Sequence, residues 1–156
     1  MDKVDIEILK LIQTNAELSL AEISRRVGVS KTPCWNRIRK LEEIGVINQR
    51  ATLLNRKSLD LPIVVFLSIS VGRHSLEWTA RFDKLISSYD QIIEVHRLTG
   101  SGADYMLKIV AASIEDYDSF QQVLIGKIEF TSMSTSVSLQ EMKYRVELPL
   151  KQLAVS

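Results

Sequence analysis

The segment between residues 30 and 40 combines side chains that can hydrogen-bond to DNA bases with side chains that can bind phosphate. Asn36 and Arg39 are three residues apart, so a helix places them on one face. An Asn side chain can pair bidentately with adenine, and an Arg side chain with guanine. The cations that suit phosphate contacts are Arg25, Arg26, Lys31 and Arg37. This pattern predicts a helix that binds nucleic acid.

The opposite side of the same helix is apolar. Ile38 and Leu41 each lie within about 40° of Cys34 when each residue turns the helix by about 100°. Trp35 flanks the polar face. The candidate DNA-binding residues are Arg25, Arg26, Ser30, Lys31, Thr32, Pro33, Trp35, Asn36, Arg37, Arg39 and Lys40. An alternative interpretation is a small helical bundle whose basic face is only solvated.

A second group of residues could bind a small charged molecule. The loop 99–104 is rich in glycine and lies between two strand-like segments. Its backbone N–H groups can bind a carboxylate, and Asp104 can accept an ammonium group. Thr99, Thr135 and Ser136 can add hydrogen bonds. The alternative is a tight hairpin whose glycines only permit positive φ angles.

Three short helices are predicted to position the basic segment. Ser19 is followed three residues later by Glu22, which indicates a capping box at the start of the second helix. Gly28 suits the end of that helix, where a left-handed residue is favoured. The predicted elements are helices at about 2–14, 19–28 and 30–44, and short strands at 46–47 and 51–54. We therefore expect a winged helix-turn-helix.

The second half alternates between strand and helix patterns. The predicted strands are 61–71, 92–98, 105–111 and 132–144, and the predicted helices are 75–88 and 113–127. The order β-α-β-β-α-β is that of a ferredoxin-like fold. We predict an α+β protein with a DNA-binding domain at 1–57 and a ferredoxin-like effector-binding and oligomerisation domain at 58–156.

Charge is distributed unevenly along the 156 residues. Residues 25–57 contain nine Lys/Arg and two Asp/Glu, whereas residues 61–156 contain nine and eleven. A basic block beside an acidic remainder is typical of a nucleic-acid-binding module. No apolar run reaches the roughly 18 residues of a membrane span, and the first residues do not resemble a secretory signal. We expect a cytoplasmic protein without membrane contact.

The remaining reactive residues do not form a catalytic pattern. Cys34 is the single cysteine and lies on the apolar stripe, so we expect it to be packed rather than to act as a redox switch. His74 and His96 lack neighbours at metal-ligand spacing. We predict no catalytic residue, no metal site and no cofactor.

These segments resemble the leucine-responsive regulator/AsnC (feast/famine) family along nearly the whole chain. The matching motifs are Thr32-Pro33-Cys34, the run from Arg37 to Glu42, Gly45-Val46-Ile47, and the segments 100–110 and 136–150. One difference is that three residues, rather than two, separate Gly100 from Asp104.

The resemblance implies a transcription regulator that binds double-stranded DNA, assembles as a dimer or higher oligomer such as an octamer, and responds to a small effector, usually an amino acid. The effector site that it implies consists of Thr99, Gly100, Ser101, Gly102, Ala103, Asp104, Tyr105, Thr135 and Ser136. The alternative function is a small ferredoxin-like metabolic enzyme with an appended helical domain. Such an enzyme would need converging titratable groups.

Overall fold

The computed structural model describes residues 1–100 and 102–153, and the chain divides into two compact units. The first unit contains residues 1–53 and the described part of 142–156, and the second contains residues 54–141. The predicted division at 57/58 differs from this grouping because the last segment packs with the first unit. The assignment of separate functions to 1–57 and 58–156 stays a prediction.

The first unit contains three helices. They are α1 (Lys3–Thr14), α2 (Leu20–Val27) and α3 (Lys31–Glu43). Asp2 and Asp5 form a reciprocal capping box at the start of α1. Gly28 ends α2 with φ at 74°, a left-handed conformation in which a Cβ atom is strained. The helices pack around a common apolar cluster that includes Ile8 and Ile23.

The predicted strands of the wing are wrong. Residues 46–54, all of which the structure describes, contain no strand. The backbone N–H groups of Val46 and Ile47 instead donate to the carbonyl of Leu41, at 2.9 and 3.0 Å. These two bonds satisfy the carbonyl of Leu41 near the end of α3. The N–H groups of Val46 and Ile47 are therefore not available to pair with a second strand of a hairpin.

The second unit has the predicted β-α-β-β-α-β order. Its elements are β1 (Ile63–Ser70), α4 (Leu76–Ser87), β2 (Ile92–Arg97), β3 (Tyr105–Ala111), α5 (Ile114–Lys127) and β4 (Ser132–Val137). The strands lie in the order β2-β3-β1-β4, and every neighbouring pair is antiparallel. The ferredoxin-like prediction is confirmed.

One face of this sheet is covered by the two helices. Val65, Leu67 and Ile69 of β1 are buried in a cluster with Phe82 of α4 and Leu124 of α5. Because successive side chains of a strand point to opposite faces, the intervening residues lie on the other face. That open face carries Phe66, which is 37% exposed, and Met106 of β3.

The last strand is shorter than predicted. β4 ends at Val137, and the next backbone bond to β1 is from the N–H of Ser138 to the carbonyl of Val64, at 2.8 Å. Because β1 begins at Ile63, no further length of β1 remains for pairing, so the predicted extension to Tyr144 is wrong. No helix in the described part of the chain is long and apolar enough to cross a membrane.

Candidate nucleic-acid interface and effector loop

Helix α3 presents two distinct faces. Cys34, Ile38 and Leu41 are 0%, 6% and 2% exposed, and this confirms the predicted apolar stripe. Cys34 is a free thiol, and burial raises its pKa, which suits a packed side chain. The predicted polar face lies in solvent: Ser30, Thr32, Pro33, Trp35, Asn36, Arg39 and Lys40 are all exposed, as are Lys31, Arg25 and Arg26.

The exposed side chains differ in how strongly they are already engaged. Arg39 lies over the ring of Trp35 at 5.4 Å and 3.8 Å from Glu43. Arg26 pairs with Glu22 at 3.4 Å. In contrast, Asn36 forms no hydrogen bond with any described residue through its side chain. Its amide is therefore available for a partner outside the chain.

Arg37 is held inside the unit. Its Nη1 atom donates to Asp2 Oδ2 and to Asp5 Oδ1, both at 2.7 Å. The backbone N–H of Asp5 and the Arg37 guanidinium hold the pKa of Asp2 below its ordinary value, and the two carboxylates raise the pKa of Arg37. The guanidinium thus joins α3 to the start of α1. This geometry favours a structural role for Arg37 over the predicted phosphate contact.

The side chain of Asp104 stabilises the end of the glycine-rich loop through two contacts. Asp104 Oδ2 accepts a hydrogen bond from the N–H of Val71 at 2.7 Å, and Oδ1 lies 3.3 Å from Nε2 of His74. The Val71 N–H and His74 hold the pKa of the Asp104 carboxyl below its ordinary value. Gly100 and Gly102 have φ angles of 127° and 114°, which explains why glycine suits both positions.

The other predicted effector residues of this loop differ in exposure. Thr99 and Gly100 are exposed, Ala103 is half-buried, and Ser101 lies outside the described residues. Tyr105 is only 7% exposed.

His74 was not among the predicted effector residues. Its ring centroid lies 5.8 Å from that of Tyr105 and 6.3 Å from that of Trp78. Only the fold brings His74 to Asp104, which is thirty positions away in the sequence, so residue spacing offers no signal for the pair.

Thr135 and Ser136 lie apart from the loop. Thr135 Oγ1 is 2.8 Å from the hydroxyl of Tyr117, and Gln121 Nε2 donates to it at 3.3 Å, so Thr135 faces α5. Ser136, the next residue of the strand, points to the opposite face. β1 separates their strand from β3, where the loop ends. Within one chain the structure does not bring these two residues to the loop.

Among residues 1–100 and 102–153 there is no group of three His, Cys, Asp or Glu side chains that could hold a metal ion. His96 lies beside Glu94 on β2, with 3.6 Å between Nε2 and Oε2. This pair is solvated and has no third ligand.

Known proteins match both units. Residues 1–48 match the winged helix-turn-helix DNA-binding family, and residues 64–148 match the Lrp/AsnC ligand-binding domain. The chain belongs to the Lrp/AsnC family of transcriptional regulators. The Glutamate uptake regulatory protein of Zymomonas mobilis is 39% identical over 152 residues, which are 97% of this chain and 92% of that protein. The DNA-binding transcriptional activator DecR of Escherichia coli is 28% identical, over 97% and 99% of the two chains.

Solved structures of Lrp/AsnC regulators agree with this assignment. The crystal structure of an AsnC family transcriptional regulator from Agrobacterium tumefaciens superposes with a TM-score of 0.92 at 38% identity, and the match covers 98% of this chain and 99% of that one. A transcriptional regulator from Neisseria meningitidis in complex with L-Met gives a TM-score of 0.92 at 30% identity, over 98% and 99% of the chains. The Lrp/AsnC fold thus extends over both units.

The ion pair of Arg37 generates a prediction that separates a structural role from phosphate binding. We expect Arg37→Met to lower the melting temperature at pH 7 and to leave the salt dependence of DNA binding unchanged. Loss of a phosphate contact would instead reduce the slope of log K against log salt by about one. Arg25→Met, which removes an exposed cation without a partner among the described residues, is the matched control and should reduce that slope.

The stability effect should depend on pH. Because the folded pKa of Asp2 lies below its ordinary value of 3.8, its ion pair contributes stability above that pH. The contribution is lost as the pH falls through the folded pKa. The difference in melting temperature between wild type and Arg37→Met should therefore narrow below about pH 3.8. A difference that stays constant at acid pH, where the Asp2 carboxyl is protonated in both the folded and the unfolded state, would contradict the assignment of this stability to the Asp2 carboxylate.

Proposed function

We propose that this Lrp/AsnC regulator reads DNA with the exposed face of α3 and changes its DNA binding or assembly when an amino acid binds near the loop 99–105. The proposal that α3 binds DNA is supported by the division of this helix into a buried stripe and an exposed polar face with Asn36 and Arg39. The family and the relatives are transcriptional regulators, and they do not support the alternative of a metabolic enzyme.

Major-groove binding fits the chemistry of this face. An α-helix fits the major groove, where Asn and Arg can make bidentate hydrogen bonds with adenine and guanine. Asn36 is available for such a contact, and the ring of Trp35 preorganises the Arg39 guanidinium. Lys31 and Arg25 supply phosphate contacts at the start of α3 and the end of α2, and Ser30 and Thr32 can add hydrogen bonds to the backbone.

Sequence-specific binding needs more than one copy. A single helix-turn-helix reads a few base pairs, so two copies about one helical turn apart give the required specificity. We infer that the second unit supplies the two-fold symmetry through the open face of its sheet. Phe66 and Met106 on this face remain accessible to a partner subunit, because both helices cover the other face.

The effector proposal rests on the loop and on a relative. The solved structure of the Neisseria meningitidis regulator is a complex with L-Met. This supports the proposal that the effector of the present chain is an amino acid. The loop offers backbone N–H groups to a carboxylate, and Asp104 keeps its negative charge with 35% of its side chain exposed. Thr135 and Ser136 can join such a site only across an interface with another copy. Effector control of this kind needs about 1–3 kcal/mol of coupling between the two sites.

The proposed activity requires access to DNA, so we infer a cytoplasmic regulator that acts without a cofactor, a metal ion or a membrane. Its partners are double-stranded DNA, a small effector and further copies of the chain.

Base reading by α3 can be tested with gel shifts on a target duplex and on a scrambled one. We expect Asn36→Ala and Arg39→Ala each to weaken binding to the target by about 1–3 kcal/mol and to leave binding to the scrambled duplex nearly unchanged. Lys31→Ala is the control, because loss of a phosphate contact weakens binding to both duplexes alike. Equal losses on both duplexes for Asn36→Ala would exclude a base-reading role.

Dimerisation through the sheet can be tested by sedimentation of the full chain. We expect Phe66→Glu to convert a dimer into a monomer at micromolar concentration, because it puts a charge into a desolvated interface. The control is Leu76→Glu, since Leu76 is 92% exposed at the start of α4, outside the open face. If Phe66→Glu sediments like wild type, the open face is not the interface.

The effector site can be tested by a thermal-shift screen of the amino acids, followed by calorimetry of the best binder. We expect Asp104→Asn to weaken binding by about ten- to a hundredfold, because a charge-assisted hydrogen bond contributes about 1.5–3 kcal/mol. Asp90→Asn removes an exposed carboxylate outside the loop and should leave binding unchanged. An unchanged dissociation constant for Asp104→Asn would exclude a contact between Asp104 and the effector. Asp104 would then only stabilise the turn.

A further inference from the structure

The carboxylate of Asp104 has one oxygen that is bound to the backbone and one oxygen that lies beside an imidazole. Oδ2 accepts a hydrogen bond from the N–H of Val71 at 2.7 Å, and the N–H of Asp104 itself donates to the carbonyl of Ile69 at 2.8 Å. Oδ1 lies 3.3 Å from Nε2 of His74. Because Oδ2 is turned toward the backbone, Oδ1 is the oxygen that is available to an ammonium group, and His74 borders it.

The ring of His74 is held beside Asp104 by aromatic neighbours. Its centroid lies 5.8 Å from that of Tyr105, and it meets the ring of Trp78 edge-on at 6.3 Å. Both neighbours are buried, and the indole N–H of Trp78 donates to the carbonyl of Glu129 at 2.9 Å. The His74 side chain is itself 33% exposed. Protons from solvent therefore reach an imidazole whose position is fixed.

The backbone next to His74 is also fixed. Ser75 is the N-cap of α4, and its Oγ accepts a hydrogen bond from the N–H of Trp78 at 3.1 Å. The N–H of Ser75 donates to the carbonyl of Arg73 at 3.1 Å. Because an N-cap determines where a helix begins, the start of α4 places His74 over the end of the glycine-rich loop.

Asp104 is the carboxylate that contacts His74. The start of β3 also contributes the phenol of Tyr105. Arg97 at the end of β2 pairs in register with Tyr105, and its charge contributes to the low pKa of Asp104. The charged side chains on the surrounding elements are exposed to solvent: Arg73, Glu77, Arg97 and Glu129. The charge of His74 is therefore balanced mainly by Asp104.

The charge of an imidazole at this place decides what Asp104 can bind. Histidine is the side chain that ordinarily changes its charge between pH 5 and 8. A protonated His74 places a positive charge 3.3 Å from Oδ1 and pairs with the carboxylate. An approaching ammonium group then meets a carboxylate that already has a counter-ion, and it meets a second cation of its own sign. A neutral His74 leaves the negative charge of Asp104 uncompensated at this oxygen.

We propose that His74 is a positioning residue of the effector site, which leaves Oδ1 of Asp104 to the ammonium group of the amino acid while the imidazole is neutral and pairs with that oxygen when it is protonated. Acid thus weakens the response to the effector, and by reciprocity effector binding releases a proton. The inference rests on the proposed effector site at the loop 99–105 and adds to it a residue from outside the loop.

The two histidines of the chain allow a matched comparison. His74→Gln removes the titrating ring and keeps a neutral side chain that can hydrogen-bond. His96→Gln makes the same change on β2, where His96 lies 3.6 Å from Glu94 and pairs in register with Met106 on the open face of the sheet. The probes are the L-amino acids other than histidine, whose ammonium and carboxylate groups keep their charges between pH 5.5 and 7.5. A thermal-shift screen of the full wild-type chain at pH 7.5 selects those used for calorimetry.

We expect wild type and His96→Gln to bind the selected amino acids about two- to fivefold more weakly at pH 5.5 than at pH 7.5, which is the size of effect that a partly exposed ion pair produces. His74→Gln should bind equally at both pH values, and at pH 7.5 it should match wild type within about twofold. Calorimetry at pH 6.5 in buffers of different ionisation enthalpy should detect proton release on binding to wild type and none on binding to His74→Gln. A residue that only stabilises the fold would not change proton release.

The outcomes separate this inference from the proposed function. Binding to wild type that is independent of pH overturns the role of His74 and leaves the effector site intact. The same conclusion follows if His74→Gln keeps the pH dependence, if His96→Gln loses it, or if a folded His74→Gln binds no amino acid at pH 7.5. If His74→Gln does not fold, proton release by wild type decides, and its absence at pH 6.5 overturns the inference. If no amino acid stabilises wild type, the proposed effector class fails and this inference fails with it.

Discussion

Burial of Cys34 and Ile38 against Ile8 and Ile23 sets the rotation of α3 about its own axis. A helix in a small three-helix unit has to bury one stripe of side chains, and this stripe leaves no freedom in which residues face outward. Asn36 and Arg39 are exposed because burial of Cys34 and Ile38 turns the opposite side of the helix toward solvent. Arg37 adds a fixed point in the middle of α3, since its two carboxylate partners belong to the start of α1. The orientation of the face that we propose for DNA reading therefore depends on a buried apolar core.

In the second unit, β1 is the element on which the positions of the others depend. It pairs with β3 on one side and β4 on the other. At its carboxyl end, Ile69 and Val71 hold the backbone and the carboxylate of Asp104. At its amino end, the linker from the DNA-binding helices enters, and Ser138 leaves beside it. A strand of eight residues, about 26 Å long, thus runs from the glycine-rich loop to the edge of the sheet at which the chain enters and leaves the second unit.

Local patterns in the sequence predict the elements but not the contacts between distant ones. The apolar stripe of α3 and the β-α-β-β-α-β order follow from periodicity alone. The pairing of Arg37 with Asp2, and of His74 with Asp104, depends on tertiary packing and has no local signal. The alternation from 142 to 148 is real, yet β1 ends before a strand there could pair with it. The predicted placement of Thr135 and Ser136 in one site conflicts with strand geometry, because neighbouring strand residues point to opposite faces. The sequence pattern already contains this constraint.

The packing of the C-terminal segment with the first unit also gives the two units net charges of opposite sign. The first unit has 12 Lys/Arg and 8 Asp/Glu, and the second has 8 and 11. The net charge is therefore +4 for the first unit and −3 for the second. A duplex attracts the first unit and repels the second, which favours encounters in which the basic unit meets the DNA first. Fewer encounters are then wasted on the wrong orientation, and this advantage declines as added salt shortens the range of the field to about 10 Å at 0.1 M.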